Sequence, residues 1–378
     1  MSDRDPQVIS DLGALVAHLL AAGWSVVAPR LRDGAIVPGP VANAQEITRG
    51  WRDSSSPGHY RLEPGRSDLW FEHTAGPQGW KPWLFPARER LWSARRDVDA
   101  FSITEDLPEA GKTAFIGVRA CDLSALGVHD RVFGQPGFVE PRYWRRRESA
   151  LIVAVQCSRS AETCFCASMG TGPRAELGFD VALTELGAAH DGAILLESGS
   201  DHGRAVVAAV SDRPASERER LAALAISAGA ERMQCRRMPV GIAACLREAG
   251  EHPRWDDVAE RCLACTNCTM VCPTCFCSDV EDVSDLSGER SERWRVWDSC
   301  FNGEFTRLHG GEVRRSTRSR YRQWMTHKLS SWHDQFGSSG CVGCGRCIAW
   351  CPVGIDIVAE AVAIAAEPAV SEDERGDS

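Results

Sequence analysis

The sequence predicts a multidomain chain of mixed α+β and α/β structure, with an N-terminal mixed α/β region and a smaller C-terminal unit rich in cysteine. Three observations support this fold class. Short apolar runs of strand length alternate with helical patterns through the first two thirds of the 378 residues. Gly and Pro interrupt a tryptophan-rich stretch within residues 1–110. A cysteine motif recurs near the C-terminus, and its spacing marks a unit of its own.

The pattern divides the chain into three predicted domains. Residues 1–110 form a mixed α/β unit, which starts with a helix over about 7–22 and a hairpin around the turn at Asp33 and Gly34. Residues 111–235 form an α/β domain. Its strands are predicted over 114–118, 151–155, 179–183, 193–196 and 205–210, with a cap at Asp122 and a helix over about 215–228. Residues 236–378 form the cysteine-rich domain, with an insertion over 278–340, a helix over 355–366 and an acidic tail.

The most specific signal is one cysteine motif that occurs twice. Each copy reads C-x2-C-x2-C-x3-C-P, where three thiolates hold one 4Fe-4S cluster and the fourth holds the other cluster. This rule assigns Cys262, Cys265, Cys268 and Cys351 to cluster 1, and Cys341, Cys344, Cys347 and Cys272 to cluster 2. Zinc is the alternative, but it usually takes two separated C-x2-C pairs. The spacing therefore predicts a two-cluster ferredoxin-like domain that handles single electrons.

Four cysteines further upstream predict a third cluster. Cys121 and Cys157 each follow a predicted strand, and Cys164 and Cys166 lie within ten residues of Cys157. Loops at the carboxyl ends of neighbouring strands are where α/β sheets place ligands. Buried free thiols and a zinc site are the alternatives. The polar, turn-forming context of these residues favours a third 4Fe-4S cluster.

Three more cysteines, Cys275, Cys277 and Cys300, lie near the paired motif without an evident fourth partner. The tetrapeptide Thr274–Cys277 repeats the sequence of Thr163–Cys166. Two interpretations remain open for the three thiols. They pack around the clusters, or they form a redox-active thiol site that needs an accessible thiol of low pKa. Cys235 and Cys245 are assigned no role.

The distribution of charge limits the possible partners. A net charge of −9 argues against non-specific binding of nucleic acid. Residues 313–333 differ from this background, because they carry six Lys or Arg side chains, Lys328 among them, and no acidic ones. We consider three roles for this basic segment: a solvated helical face, a docking surface for an acidic partner, or cations that balance the nearby clusters.

Motifs that the sequence lacks limit the expected location and cofactors of the protein. The chain has no apolar run of about 18 residues and no secretory signal, so we expect a cytoplasmic protein with no membrane span and free thiols. It contains no G-x-G-x-x-G after a strand, no P-loop and no H-E-x-x-H. We therefore expect no flavin, nicotinamide or catalytic metal site on this chain.

Several of these motifs together resemble one family, the beta subunits of cytoplasmic sulfhydrogenase-type NiFe hydrogenases, with the related A subunit of anaerobic sulfite reductase. The resemblance covers most of the chain. The segments that carry it are 79–82 (GWKP), 84–86 (LFP), 119–122 (RACD), the run from Cys157 to Pro173, 272–277 (CPTCFC), 297–300 (WDSC) and 341–347 (CVGCGRC).

The resemblance implies a non-catalytic electron-transfer subunit of an oxidoreductase complex, with several 4Fe-4S clusters on its cysteines. Its partners would be a gamma-type subunit that binds flavin and NAD(P)H, and a catalytic module. That module would be the small and large subunits of a NiFe hydrogenase or, alternatively, a sirohaem sulfite reductase subunit. From the residues alone, a thiol or sulfur reductase that uses Cys275, Cys277 and Cys300 is the rival function.

Overall fold

The structure is a computed structural model that describes residues 5–65, 67–97, 100–109 and 111–366. The predicted acidic tail lies outside these residues. Within them the strands are β1 (Gln7–Ile9), β2 (Ser25–Arg32), β3 (Ala35–Pro40), β4 (Trp51–Ser56), β5 (His59–Pro64), β6 (Arg88–Arg96), β7 (Phe101–Glu105), β8 (Thr113–Arg119), β9 (Ala150–Val155), β10 (Val181–Glu185), β11 (Ile194–Ser198), β12 (Arg213–Pro214), β13 (Ser278–Ser284), β14 (Arg290–Trp297), β15 (Arg307–Leu308) and β16 (Gly311–Glu312).

Most of the helices are short, and two of them carry cysteines of the repeated motif. The helices are α1 (Leu12–Ala21), α2 (Lys81–Leu84), α3 (Ala120–Phe133), α4 (Pro141–Glu148), α5 (Asp201–Val210), α6 (Glu217–Arg232), α7 (Ile242–Glu248), α8 (Arg254–Arg261), α9 (Asn267–Met270), α10 (Thr317–Thr326), α11 (Trp332–Phe336), α12 (Arg346–Ala349) and α13 (Ile357–Ala366). A π-helical segment, His327–Ser331, joins α10 to α11. No helix in the described ranges is both long and apolar enough to cross a membrane.

An eight-stranded sheet forms the centre of the molecule, in the order β12-β1-β11-β10-β9-β8-β2-β3. Strands β2, β8, β9 and β10 are parallel to one another, whereas β3, β11, β1 and β12 each pair antiparallel with their neighbours. Side chains alternate between the two faces of each strand. In β9, Leu151 and Val153 pack on the side of α1 and α5, whereas Ile152 packs on the side of α3. Both faces are buried, as a parallel sheet requires.

This sheet changes three of the sequence predictions. Residues 7–9 are a strand rather than the start of the helix, because they pair with β11 and β12. Residues 205–210 belong to α5, which Ser200 caps by accepting a hydrogen bond from the Gly203 N–H (3.0 Å). A short apolar run does not by itself distinguish a strand from a buried helix. Asp122 does not cap α3 but pairs with an arginine described below. The strands expected over 114–118 and 151–155 are confirmed.

Two of the sheets combine strands from different predicted domains. Strands β1 to β3 share the large sheet with β8 to β12. Hairpin β13–β14 of the insertion pairs with β6, and β6 pairs with β7, so that a four-stranded antiparallel sheet results. A second core lies in the C-terminal part, around Trp255, Trp324 and Met325 from α8 and α10, with several cysteines at its border. The insertion therefore connects the C-terminal part of the chain to a strand of the predicted N-terminal domain.

One buried carboxylate fixes a loop against the large sheet. Glu185 ends β10 and is 7% exposed. Its two oxygens accept hydrogen bonds from the backbone N–H groups of Trp70 (2.7 Å) and Phe71 (2.9 Å). Burial raises the pKa of this carboxyl from its ordinary 4.5 to about 7.

This raised pKa predicts how stability depends on pH. Between pH 4.5 and 7 the folded protein keeps a proton on Glu185 that the unfolded chain releases, so the free energy of unfolding falls as the pH rises. Glu185 should account for a decrease of about 3 kcal/mol in the free energy of unfolding over this pH range, and Glu185→Gln should lack that decrease. Denaturant unfolding of anaerobic protein at several pH values measures it. Thr184→Val, at a buried position of the same strand that carries no ionisable group, is the control and should keep the wild-type slope. Equal slopes for wild type and Glu185→Gln would contradict the assignment.

Candidate iron–sulfur centres

The first group of thiols lies around one cavity in the C-terminal part. The cavity is lined by Cys262, Cys265, Cys268 and Cys351, and by the rings of Phe301, Tyr321 and Trp324. Ala264 and Thr266 have positive φ angles of 50° and 68°, which fold the first three cysteines of the motif around the cavity. The N–H of Ala264 donates to the Cys262 Sγ (3.4 Å). The structure thus brings Cys351 of the second motif to three cysteines of the first.

The second group combines the remaining members of both motifs. The charge of Cys272 acts on Cys341, Cys344 and Cys347, so the four thiols are electrostatic neighbours. Burial raises the pKa of Cys341 to about 12 and also raises those of the other two second-motif thiols. Cys347 also lines the first cavity, and the charge of Cys268 raises the pKa of Cys347. The two groups are therefore adjacent.

A single zinc ion is the alternative occupant of these thiol groups. Among the described residues, no group of three or more His, Cys, Asp or Glu side chains is placed to hold one metal ion. Thiolates on one tetrahedral zinc ion lie about 3.8 Å apart, since each Zn–S bond is about 2.3 Å. In a 4Fe-4S cluster each thiolate instead binds a different iron atom.

The four upstream cysteines form a third group at the carboxyl edge of the large sheet. Cys121 follows β8, and Cys157 follows the parallel neighbour β9. The charge of Cys157 acts on Cys164 and Cys166, and that of Cys166 acts on Cys121. Sequence reasoning missed two side chains here. Gln234 donates to the Cys166 Sγ (3.2 Å), and Arg119 donates to the Cys157 Sγ (3.7 Å).

The second motif is docked directly on this third group. Gly343 and Gly345 have positive φ angles of 64° and 75°. A Cβ at Gly343 would lie 2.7 Å from the Cys166 Cα, and one at Gly345 would lie 2.3 Å from the Thr163 O. The Phe165 N–H donates to the Gly343 O (2.9 Å). Only glycine fits at these two positions, because backbone lies against backbone.

A buried ion pair secures the same contact. Arg346 follows Gly345, and its Nη1 and Nη2 donate to Oδ1 and Oδ2 of Asp122 at 2.8 and 3.1 Å. Its Nε donates to the Gly76 O (2.9 Å). Both charged side chains are almost fully buried. Such a pair stabilises a structure only when its geometry is good and its remaining donors are satisfied, which these three bonds achieve.

The three unassigned thiols lie beside the second group. Cys277 and Cys300 are hydrogen-bonded to each other, and Cys275 to Cys272. The bond from Cys300 lowers the pKa of Cys277 to about 7, while Cys275 has a raised pKa. Cys277 and Cys300 also line an open cavity of about 1230 Å³, together with aromatic and basic side chains: Trp144, Phe276, Phe305, Phe336, Arg131, Arg314 and His327.

The charged side chains of the basic segment, residues 313–333, lie in two different environments. Arg318 and Arg322 lie on α10 and form ion pairs with Glu251, so they belong to a surface network. Lys328, in the π-helical segment, is instead buried and donates to the Cys272 Sγ (3.2 Å). Sequence reasoning named balancing cations as one role but did not single out this residue. A second buried lysine, Lys81, donates to the Cys275 O (3.2 Å) and lies over the Trp297 ring (3.6 Å).

Comparison with known proteins identifies the class to which this site belongs. The model of the 4Fe-4S dicluster domain matches residues 261–355, the range that contains both copies of the cysteine motif. The C-terminal part of the chain is therefore a domain for two 4Fe-4S clusters. No solved structure matches the chain.

A relative that matches about two thirds of the chain narrows this class. Sulfhydrogenase 2 subunit beta of Pyrococcus furiosus is 35% identical over 260 residues, which cover 66% of this chain and 72% of that protein. The chain belongs to the family of sulfhydrogenase beta subunits. The resemblance drawn from the sequence motifs is thereby confirmed.

The docking of the second motif can be tested at Gly345. We expect Gly345→Ala to lower the free energy of unfolding by roughly 4 kcal/mol, because the left-handed backbone and the overlap with the Thr163 O both cost energy. Gly241→Ala is the matched control, since Gly241 has a φ of 78° but no atom within 4 Å of its added Cβ. It should lose only about 1–2 kcal/mol. Denaturant unfolding under anaerobic conditions measures both, and equal losses would contradict the close contact.

Proposed function

We propose that this chain is the electron-transfer subunit of a sulfhydrogenase-like complex and has no catalytic site of its own. The observation that supports this most directly is the contiguity of the three thiol groups. Cys347 and Cys268 line the same cavity, and the charge of Cys344 acts on Cys121 and Cys166 of the third group. A bound 4Fe-4S cluster supplies one-electron transfer. Three such sites in a row make a continuous path through the protein.

The proposed ligands are the twelve cysteines of the three groups. Cluster 1 would be held by Cys262, Cys265, Cys268 and Cys351; cluster 2 by Cys341, Cys344, Cys347 and Cys272; and cluster 3 by Cys121, Cys157, Cys164 and Cys166. The cysteines within the described residues are all free of disulfides, so these twelve thiols can serve as ligands. The donors from Ala264, Gln234 and Arg119 to three of these sulfurs would orient the ligands and adjust the cluster potentials.

The proposed partners follow from the family. A gamma-type subunit that binds flavin and NAD(P)H would exchange electrons with one end of the path. The small and large subunits of a NiFe hydrogenase would be at the other end. A sirohaem sulfite reductase subunit is the alternative partner, since the related A subunit of that enzyme shares the motifs. Purification of the complex from its natural source, followed by identification of its subunits, distinguishes the two.

Iron analysis tests the three-cluster proposal. We expect anaerobically purified protein to contain about twelve iron atoms and as many acid-labile sulfides per chain, the content of three 4Fe-4S clusters. Cys164→Ser together with Cys166→Ser should lower this to about eight, and Cys235→Ser should leave it unchanged. About eight irons in the wild type would remove the third cluster from the proposal. Fewer than eight would contradict the paired clusters.

The open cavity favours a second candidate function, a thiol or sulfur reductase that uses Cys277 and Cys300, with Cys275 nearby. The hydrogen bond that gives Cys277 a pKa of about 7 keeps much of it as nucleophilic thiolate at neutral pH. The Cys277 thiolate would attack an S–S bond and release one thiolate. Cys300 would then attack the mixed disulfide and release the second. Two electrons from a reduced nicotinamide on the partner, with two protons, would restore the pair. Cys275 does not line the cavity and has a raised pKa, which makes it the weaker nucleophile.

Substitutions in the assembled complex separate the two functions. If the second function holds, Cys277→Ser and Cys300→Ser should each lower the nicotinamide-dependent release of thiol from a small disulfide, or of sulfide from polysulfide, by at least about tenfold. Dye reduction through the complex should persist, because neither thiol belongs to a proposed ligand set. Cys245→Ser is the control. Unchanged release in both variants would dismiss the second function and leave the relay proposal intact.

A further inference from the structure

One lysine ammonium is buried where the two cysteine motifs meet. Lys328 lies in the π-helical segment and is 5% exposed. An ammonium is rarely buried unless it is paired, because it loses its hydration. Local π-helical geometry is frequent at functional sites. The buried ammonium therefore needs hydrogen-bond acceptors close to its Nζ.

The partners of Lys328 belong to both halves of the second thiol group. Its Nζ donates to the Cys272 Sγ (3.2 Å) and to the Thr274 Oγ1 (2.9 Å), and these two acceptors lie 3.1 Å apart. Its backbone O accepts hydrogen bonds from the Gly340 N–H (2.8 Å) and the Ser339 Oγ (3.0 Å). Ser339 Oγ in turn accepts from the Cys341 N–H (3.0 Å). Lys328 thus links Cys272 of the first motif to Cys341 of the second.

We propose that Lys328 is a positioning residue that raises the reduction potential of cluster 2 above that of cluster 1. The inference rests on the proposed role of Cys272 as a ligand of cluster 2. Net charge and hydrogen bonds to the sulfurs set the potential of an iron–sulfur cluster. A cation bonded to a ligand sulfur favours the reduced, more negative state, and the low dielectric of a buried site strengthens this effect.

The two proposed cluster sites differ in the charge of the group that donates a hydrogen bond to a ligand sulfur. At the first cavity, the Cys262 Sγ accepts its hydrogen bond from a neutral group, the Ala264 N–H (3.4 Å). Arg320 acts on Cys262 only through its charge, as the least of the influences on that thiol. At the second group, the donor is a full positive charge in direct contact with the sulfur. The difference predicts two distinct potentials along the relay, with cluster 2 as the more easily reduced of the pair.

Lys81 provides a matched control. It is as buried as Lys328 and lies close to the same thiols, but its Nζ donates to the Cys275 backbone O and lies over the Trp297 ring. It does not bond a proposed ligand sulfur. A role that depends on direct contact with Cys272 therefore requires Lys328 and not Lys81, whereas a general effect of buried charge would involve both.

Redox titration monitored by electron paramagnetic resonance tests the proposal on the anaerobically purified full chain. Lys328→Met removes the charge and the donor but keeps the aliphatic stem. We expect it to lower the midpoint of the cluster of higher potential in the pair by at least 59 mV, a tenfold change in a one-electron equilibrium, with the midpoints of the other clusters unchanged. Lys328→Gln should give a smaller decrease in the same direction, and Lys328→Arg should stay near wild type. Lys81→Met should shift each midpoint by less than a third of the Lys328→Met effect.

Iron content, measured on every variant, separates the possible failures. If Lys328→Met has the full iron content and unchanged midpoints, the proposal is overturned, whereas the relay function stands. If Lys328→Met loses iron, the midpoints of Lys328→Gln provide the test instead. Loss of iron in both variants would assign Lys328 a purely structural role, and an equal shift in Lys81→Met would assign the effect to general charge. Either result also overturns the proposal. A wild type with fewer than about eight irons would instead refute the proposed function.

Discussion

The arrangement of this molecule depends on one close contact, in which the loop of the second cysteine motif lies directly on the loop that carries Cys164 and Cys166. Gly343 and Gly345 allow backbone to meet backbone there, and the buried pair of Arg346 and Asp122 closes the contact on its other side. Because Asp122 stands at the start of α3, the contact fixes the dicluster domain to the carboxyl edge of the large sheet. Thiols that are up to 230 positions apart in sequence, Cys121 and Cys351, thereby belong to neighbouring groups.

The large sheet explains why the third thiol group exists at all. Parallel strands β8 and β9 end at the same edge, and each is followed by a cysteine. The same edge holds the polar groups that contact these sulfurs, since Arg119 ends β8 and Gln234 follows α6. The sheet therefore serves as a rigid platform for a site that is built from loops, in agreement with the usual position of ligand sites in α/β folds.

The insertion between the motifs has two structural tasks. Its hairpin, β13–β14, extends the sheet of β6 and β7 and so ties the C-terminal part to the N-terminal part. Its helical end carries Lys328 inward to Cys272, while Arg318 and Arg322 of the same segment remain in a surface ion-pair network. A charged residue at the surface contributes little to stability, but a charged residue buried beside a sulfur changes the chemistry of that sulfur. The insertion is thus part of the site rather than an appendage.

The sequence by itself determined the cluster motifs, the family and the sheet strands that precede Cys121 and Cys157, because fixed cysteine spacing and apolar runs are local properties of the chain. It also predicted the crossed grouping, since that rule depends on spacing alone. Only the tertiary structure decided that residues 7–9 are a strand, that residues 205–210 are helical and that Asp122 pairs with Arg346. It alone showed that Lys328 is buried, unlike the neighbouring arginines, and that Cys277 lines the open cavity, unlike Cys275. Burial, pairing partners and access to a cavity arise from residues far apart in sequence, so no local pattern records them.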